Sequence, residues 1–239
     1  MILAAGRGER LRPITDETPK SLVEVAGRSL LERHLDHLQA AGIREVVINL
    51  GWLGERIVER VGSGRQYDLD VVYSDERGDV LETGGGIFKA LPLLGSDPFL
   101  VINADIYTEM PVPDVSLEDD HDVHLVLVPT PAYRAHGDFD LVDGLVRNRD
   151  KPPLTCSGVS IYRPEFFDGC EAGRFSVAPL WRAAADRGRV SGSLYEGPWA
   201  DIGTPERLAA LQAELCAVGG ASGPSVGAAL AAIGPYYPA

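Results

Sequence analysis

A glycine-rich, positively charged loop follows the first apolar segment of the chain. It reads Gly6-Arg7-Gly8-Glu9-Arg10-Leu11-Arg12-Pro13 and continues to Thr18-Pro19-Lys20. Glycines that leave a strand let backbone N–H groups approach a phosphate, and Arg12 and Lys20 add the positive charge that binds an anion. The loop lacks both GxxxxGK(S/T) and the third glycine of GxGxxG, so it is neither of the two common phosphate loops. Taken alone, it is also compatible with a plain turn after a strand.

Alternating strands and helices in the first half of the chain place this loop at a sheet edge. We predict strands over Met1–Ala5, Glu45–Leu50, Asp70–Ser74 and Phe99–Asn103. Helices are expected after the capping box Ser29-Leu30-Leu31-Glu32, from Leu53 to Val61 and from Gly84 to Leu94. This alternation predicts a doubly wound sheet with helices on both faces. Ligands bind beyond the carboxyl ends of such strands, where the loop and Asp105 both fall.

The second half of the chain has strands without long helices between them. We predict strands over His124–Pro129, Asp140–Val146, Ser157–Tyr162 and Val190–Tyr195, and helices over Val177–Asp186 and Thr204–Cys216. The predicted fold class is therefore α/β: a doubly wound, mostly parallel, Rossmann-like sheet with antiparallel additions in the second half. Residues 1–217 are expected to form one domain. Residues 218–239, rich in Gly, Ala and Pro, are expected to form a low-complexity tail.

Composition and charge exclude several classes of protein. The 239 residues carry a formal net charge of −13, which argues against nonspecific nucleic-acid binding through a basic surface. No stretch approaches the roughly eighteen uninterrupted apolar residues of a membrane span. The 3 cysteines have no CxxC spacing, which disfavours a disulfide framework or a zinc site and fits a reducing cytoplasm.

The complete string from Leu3 to Lys20 resembles the signature G-x-G-x-R-(L/M)-x-P-x-T-x-x-x-P-K of sugar-1-phosphate nucleotidyltransferases. The resemblance continues over residues 1–215, in the strings Leu81-Glu82-Thr83-Gly84-Gly85-Gly86, Asn103-Ala104-Asp105, Asp150-Lys151-Pro152, Gly158-Val159-Ser160-Ile161-Tyr162 and Trp199-Ala200-Asp201-Ile202-Gly203-Thr204. Ala104 stands where the family usually has glycine, which is a mild replacement if the backbone there has negative φ.

The resemblance implies an enzyme that condenses an NTP with a sugar 1-phosphate to give an NDP-sugar and pyrophosphate, with Mg²⁺ as cofactor. It implies that Arg12 grips the β- and γ-phosphates, that Lys20 bridges the α-phosphate and the sugar phosphate, and that Asp105 and Asp201 bind the metal. The implied nucleotide-binding residues are Leu3, Ala4, Ala5, Gly6, Gly8, Glu82, Thr83, Gly84 and Gly85. The implied sugar-phosphate-binding residues are Asn103, Gly137, Asp138, Lys151 and Gly158.

Several strings are similar to the bacterial N-acetylmuramate 1-phosphate uridylyltransferase group, which implies UTP as the nucleotide and a role in peptidoglycan recycling. They include the segment from Glu82 to Gly95 and the turn Gly137-Asp138-Phe139. A mannose-1-phosphate guanylyltransferase and a glucose-1-phosphate uridylyl- or thymidylyltransferase remain alternatives, as does a non-catalytic NDP-sugar-binding regulatory subunit. An NAD-binding oxidoreductase is disfavoured by the missing third glycine. We expect a cytoplasmic monomer or homodimer with no nucleic-acid or membrane partner.

Overall fold

A nine-stranded sheet runs through the centre of the fold. The computed structural model describes residues 1–79, 81–114 and 116–220. The strands are β1 Ile2–Leu3, β2 Glu24–Val25, β3 Arg28–Ser29, β4 Glu45–Leu50, β5 Asp70–Asp75, β6 Phe99–Asn103, β7 Ile106–Thr108, β8 Val123–Pro129, β9 Asp140–Val142, β10 Leu145–Arg147, β11 Leu154–Tyr162, β12 Val190–Leu194 and β13 Trp199–Asp201. The order of the strands in the large sheet is β5-β4-β1-β6-β11-β8-β12-β10-β9. The α-helices are α1 Ile14–Glu17, α2 Leu30–Ala40, α3 Gly54–Val61, α4 Glu82–Leu94, α5 Ala178–Asp186 and α6 Pro205–Gly220.

The first half of the sheet is parallel and the second half is mixed, which confirms the predicted α/β class. Strands β5, β4, β1 and β6 all pair in parallel. Strand β11 pairs antiparallel with both β6 and β8, and β9 and β10 extend the sheet as an antiparallel hairpin. Leu3 is in register with Asn49 on one side and Asn103 on the other. The carboxyl ends of three strands therefore form one row at the same edge.

Helices cover both faces of this sheet, each over its own hydrophobic cluster. One cluster joins Leu31 and Leu35 of α2 and Ile57 of α3 to the sheet. The other joins Ile87 of α4 and Ala184 of α5 to the opposite face. Burial of these apolar side chains supplies the main driving force that holds the helices against the strands. The predicted doubly wound arrangement is thus observed.

A third hydrophobic cluster attaches α6 to the rest of the fold. Leu208 and Leu211 of α6 pack in one cluster with Leu11 and Tyr107. Ile202, which directly follows β13, belongs to the same cluster. Strand β13 pairs antiparallel with β7, in a register that places Asp201 opposite Ile106. This cluster therefore brings a segment from the end of the chain beside Asp105.

The sequence did not predict the short elements β2, β3, β7, β13 and α1, and several predicted elements differ from the structure in their bounds. Residues Asp140–Val146, predicted as one strand, belong to two strands joined by a turn at Asp143-Gly144, whose φ values are 51° and 76°. Two consecutive positive φ values at Asp-Gly are typical of a type I′ hairpin turn. This turn is the reason that the predicted single strand is divided into two. Strand β1 is shorter than predicted, and α6 continues past Cys216 to Gly220. Most of the predicted tail, from residue 221 onward, lies outside the described residues.

The capping box at the start of α2 is confirmed. The Ser29 side chain accepts from the Glu32 backbone N–H, and the Glu32 carboxylate accepts from the Ser29 backbone N–H. Within the described part of the chain, the helices are too short or too polar for any of them to cross a bilayer.

Candidate active site

A cleft of about 580 Å³ opens at the carboxyl edge of the parallel strands. Its walls are the start of the glycine-rich loop, the loops that follow β4 and β5, the first turn of α4 and the segment from Asn103 to Asp105. This volume is in the range of pockets that bind small-molecule ligands. The cleft lies where the alternation of strands and helices predicted a ligand site.

The loop after β4 holds the glycine-rich loop in place. The Trp52 indole N–H donates to the Thr15 carbonyl at 2.9 Å, and the Arg7 guanidinium lies over the Trp52 ring, 5.5 Å from its centre. A side chain at Gly51 would overlap the backbone of Ala5, so glycine there lets the two loops touch. Backbone N–H groups of residues 5–7 are thereby held at the cleft wall, where they can face a phosphate.

Lys20 and Asp105 form an ion pair at the floor of this cleft. The Lys20 side chain is only 12% exposed and the Asp105 side chain 35%. Gly8, with φ 65°, packs against the Lys20 stem, and the Thr15 hydroxyl donates to the Gly8 carbonyl at 2.8 Å. The fold of the loop thus fixes the position of Lys20, which is its last residue.

The backbone of Asp201 lies beside that of Asp105, but Asp201 does not line the cleft. The Ile202 N–H donates to the Asp105 carbonyl at 3.0 Å, and the Asp201 carboxylate accepts from Arg207 at 2.9 Å. In each of the two aspartates, one carboxylate oxygen meets a cation, and the other oxygen has no donor within residues 1–79, 81–114 and 116–220. Two carboxylates with free oxygens on adjacent strand ends fit a divalent cation, which takes oxygen ligands.

Sequence reasoning missed a buried polar pair that shapes the cleft wall. The Asn49 side chain accepts from the Ala4 N–H at 2.6 Å and donates to the Glu76 carboxylate at 2.8 Å. Burial raises the pKa of Glu76 above its usual value, against the opposing effects of Asn49 and Lys89. A polar Asn within the apolar run of β4 is the sequence signal that could have identified this pair.

The predicted nucleotide-binding residues divide into two groups. Leu3, Ala4, Ala5, Gly6, Glu82 and Thr83 line the cleft, whereas Gly8, Gly84 and Gly85 do not. A side chain at Gly84 would overlap Phe175, and one at Gly85 would overlap the Gly173 carbonyl. These two glycines therefore let α4 pack closely on the segment 173–175. They face that segment and not the cleft.

The predicted sugar-phosphate residues are also brought together only in part. Asn103 lines the cleft, and Gly158, with φ 86°, packs against the Asn103 side chain. Gly137, Asp138 and Lys151 line no described pocket. Asp138 instead accepts from Arg134 and from the Cys156 N–H, and Lys151 is exposed.

Arg12, predicted as a catalytic residue, is not among the residues that line the cleft. It is 56% exposed and pairs with Asp16 at 3.0 Å, one helical turn further along the chain. In the signature, the fixed arginine corresponds to Arg10, and Arg12 falls on a variable position. Arg10 lies close to Gly203, which is also approached by Asp201 and Arg207. Pattern matching could therefore have selected Arg10.

A separate group of possible metal ligands lies on the loop before β8. The ligand atoms of Glu118, Asp120 and His121 lie within 4.8 Å of one another. Both acidic residues are exposed, and such groups are common without a bound ion. This cluster does not line the cleft and is assigned no chemistry.

The sheet, the loop and the acidic edge together define a nucleotidyltransferase, and the chain belongs to the nucleotidyl transferase family, whose model matches residues 1–133. The Ala104 backbone has no positive φ, so the alanine at the family's glycine position is accommodated without strain. A solved structure of CTP:phosphocholine cytidylyltransferase from Streptococcus pneumoniae shares the fold, with a TM-score of 0.71 at 24% identity over 90% of this chain and 97% of that one.

Two relatives from bacteria are similar over nearly their whole length. The N-acetylmuramate alpha-1-phosphate uridylyltransferase of Neisseria meningitidis serogroup B (strain MC58) is 48% identical over 222 residues, covering 89% of this chain and 96% of the relative. The protein of the same name from Caulobacter vibrioides is 40% identical over 231 residues, covering 90% and 96%.

Proposed function

We propose that this chain transfers a uridylyl group from UTP to N-acetylmuramate 1-phosphate, giving UDP-N-acetylmuramate and pyrophosphate for peptidoglycan recycling. The observation that carries the proposal is the Lys20–Asp105 ion pair at the floor of a cleft walled by the glycine-rich loop. The two uridylyltransferases that match over most of the chain support the choice of substrates.

The reaction requires little covalent help from the protein. A phosphate oxygen of the sugar 1-phosphate bonds to the α-phosphorus, and the bond from that phosphorus to the pyrophosphate oxygen breaks with its electron pair. The nucleophile is already an anion near neutral pH, so no general base is needed. The protein must hold the two anions in line and offset their charge. Backbone N–H groups of residues 5–7 bind the leaving phosphates, and Lys20 lies beside the reacting centre.

The charges of the cleft favour a divalent cation, which we take to be Mg²⁺. Among its described lining residues, three cations face five carboxyl groups: Arg7, Lys20 and Arg77 against Glu55, Glu76, Asp79, Glu82 and Asp105. A nucleoside triphosphate adds several negative charges to this acidic site. Asp105 and Asp201 would hold the ion, which supplies charge neutralisation at the phosphates when bound.

The lactyl carboxylate of muramate would need a cation beside the sugar. Arg134 and the Gly137–Phe139 turn are candidates from the sequence, although Arg134 already donates to Asp138 at 2.8 and 3.1 Å. Arg10 and Arg207 converge near Gly203 with Asp201 as their shared acidic neighbour. Arg207 already donates to Asp201, whereas Arg10 has no acceptor within the described residues, so Arg10 is the better-placed cation.

Pyrophosphate release, measured for four NTPs against several sugar 1-phosphates, tests the proposed function. We expect UTP with N-acetylmuramate 1-phosphate to give the highest kcat/KM. A preference for GTP with mannose 1-phosphate would contradict the substrate assignment while preserving nucleotidyl transfer. The absence of pyrophosphate release with every pair would overturn the assignment as an enzyme and favour an NDP-sugar-binding regulatory subunit.

A further inference from the structure

The segment 173–175 supports the start of α4 from a part of the chain that lies beyond the family match at residues 1–133. The Gly85 N–H donates to the Phe175 carbonyl at 3.1 Å, and the Phe175 N–H donates to the Leu81 carbonyl at 3.1 Å. The Phe175 ring also packs edge-on against the Phe88 ring, with the ring centres 6.2 Å apart. One wall of the cleft therefore rests on a segment that is distant in sequence.

Glu82, the first residue of α4, has a left-handed backbone conformation, with φ 58°. This conformation is unfavourable in a residue with a side chain, because the Cβ crowds the following carbonyl oxygen. It persists only where the surrounding structure holds it, and such residues cluster at functional sites. Glu82 and Thr83 both line the cleft. The shape of this part of the cleft therefore depends on contacts that hold Glu82 in place.

Arg174, within the supporting segment, makes such a contact. Its Nε–H donates to the Glu82 carboxylate at 2.7 Å, across 92 positions of the chain. The Arg174 side chain is 65% exposed and the Glu82 side chain 38%, so this ion pair adds little to the stability of the whole fold. Arg174 itself does not line the cleft. Its effect on the cleft must pass through Glu82.

The wall that contains Glu82 is acidic, which indicates the part of the nucleotide that it receives. Glu76, Asp79 and Glu82 line it, together with Arg77, which pairs with Asp75. These carboxylates would repel a triphosphate, and the glycine-rich loop already provides a place for the phosphates. The uncharged nucleoside part of the NTP is therefore the part that fits against this wall.

We propose that Arg174 is a positioning residue for the NTP, which holds Glu82 and the start of α4 in the conformation that receives the nucleoside. The inference rests on the proposed function, since it concerns the nucleotide of that same reaction. Arg174 touches neither the reacting phosphates nor the cleft. Its loss should therefore raise KM for UTP and leave kcat unchanged.

The direction of the effect of Glu82→Ala tests this role. The change removes the ion pair and keeps the unfavourable φ, so KM for UTP should rise by about threefold, the scale of one exposed ion pair. By charge alone, the loss of a carboxylate from an acidic cleft would instead lower KM for an anion. Arg174→Ala should raise KM by a similar factor. The double variant should show no further rise, because the two side chains act as a unit.

Glu82→Gly separates the backbone conformation from direct contact, because glycine adopts positive φ without this cost. KM for UTP should be lower than in Glu82→Ala, and adding Arg174→Ala should not raise it. These measurements are made at about 0.15 M salt, which screens distant exposed charges. The control is Arg149→Ala, which removes a similarly exposed arginine that pairs with Asp140 and does not line the cleft. It should leave KM unchanged.

Three results would overturn the role of Arg174. They are a fall in KM for UTP in Glu82→Ala, equal KM values in Glu82→Ala and Glu82→Gly, and a rise in KM when Arg174→Ala is added to Glu82→Gly. A lower Tm in Arg174→Ala with unchanged KM would show a merely structural contact and would also refute it. Failure of the unaltered chain to release pyrophosphate from any NTP would instead count against the proposed function.

Discussion

Lys20 and Asp105 are 85 positions apart in the chain and form an ion pair at the floor of the cleft. Lys20 ends the glycine-rich loop, and Asp105 follows the carboxyl end of β6. Each side chain therefore reaches the cleft from a different element. Their contact joins the loop that would bind the phosphates to the edge that would bind the metal.

We predict that Lys20→Met lowers kcat at saturating substrates by about 100-fold or more, because a preorganised cation at the reacting phosphates is lost. Arg12→Met should change kcat much less, since the Arg12 side chain is 56% exposed and pairs with Asp16. Steady-state pyrophosphate release from both variants provides the comparison. A larger loss from Arg12→Met would restore Arg12 as the catalytic arginine.

Gly8→Ala should reduce both stability and turnover. A Cβ at Gly8 would lie 2.9 Å from the Thr15 methyl and 3.1 Å from the Lys20 Cβ, and φ is 65°. Gly27→Ala is the matched control, because Gly27 has φ 75° but no heavy atom within 4 Å of an added Cβ. Both variants should lose about 1–2 kcal/mol of unfolding free energy from positive φ. Only Gly8→Ala should lower kcat; equal kcat values would show that Lys20 is not positioned by this glycine.

The buried Glu32 carboxylate should make stability depend on acid pH. Burial would raise the pKa of Glu32, but hydrogen bonds from Arg60, Ser29 and Tyr67 outweigh it and lower that pKa from 4.5 to about 2. The pKa of Glu32 is lower in the folded state than in the unfolded state. Its ionised form therefore stabilises the fold fully above about pH 4.5, and this stabilisation is lost as the pH falls toward 2. Its size is roughly 3 kcal/mol.

Glu32→Gln should therefore lower the unfolding free energy at pH 7 and flatten its fall between pH 4.5 and 2 in urea titrations. The control is Asp36→Asn, on the same helix as Glu32. It removes an exposed ion pair with Arg28 of β3 and should change stability little. An unchanged acid dependence in Glu32→Gln would contradict the hydrogen-bond network as its source.

Removing residues 221–239 should leave folding and turnover nearly unchanged. This segment contains no Asp, Glu, Lys, Arg or His and shows no hydrophobic periodicity. A chain that ends at Arg207 is the contrasting control, because it also loses Leu208 and Leu211 from the third hydrophobic cluster. We expect its Tm to fall steeply. A comparable fall in Tm, or a loss of dimers, in the chain ending at Gly220 would show that the segment docks.

Local sequence signals predicted much of the fold. The bounds of β4 and β6 coincide with the predicted ones, because each is a short, mostly apolar run rich in Val, Ile and Leu. The capping box at Ser29 fixed the start of α2 for a similarly local reason. The Asp143-Gly144 turn was missed although its signal is also local.

Site residues could be predicted where the signal lies within a single segment of the sequence. Lys20 and Asp105 each follow from one motif and one strand end. Asn49 and Glu76 were missed because their pairing exists only once β4 and β5 lie side by side. Arg12 does not line the cleft, and the spacing of the signature itself could have selected Arg10 instead. Positions 84 and 85 require glycine because Phe175 and Gly173, which are distant in sequence, leave no room for a side chain.

The most direct test of the account is the rate of pyrophosphate release by Asp105→Asn, Asp201→Asn and the double variant. It is measured with saturating UTP, N-acetylmuramate 1-phosphate and Mg²⁺. If both aspartates hold one metal ion, each single variant should lose several kcal/mol of transition-state stabilisation, on the order of a 100-fold or greater fall in kcat. The double variant should then lose much less than the sum of the two single losses. Turnover near that of the unaltered chain in either single variant would contradict the metal site and, with it, the proposed mechanism.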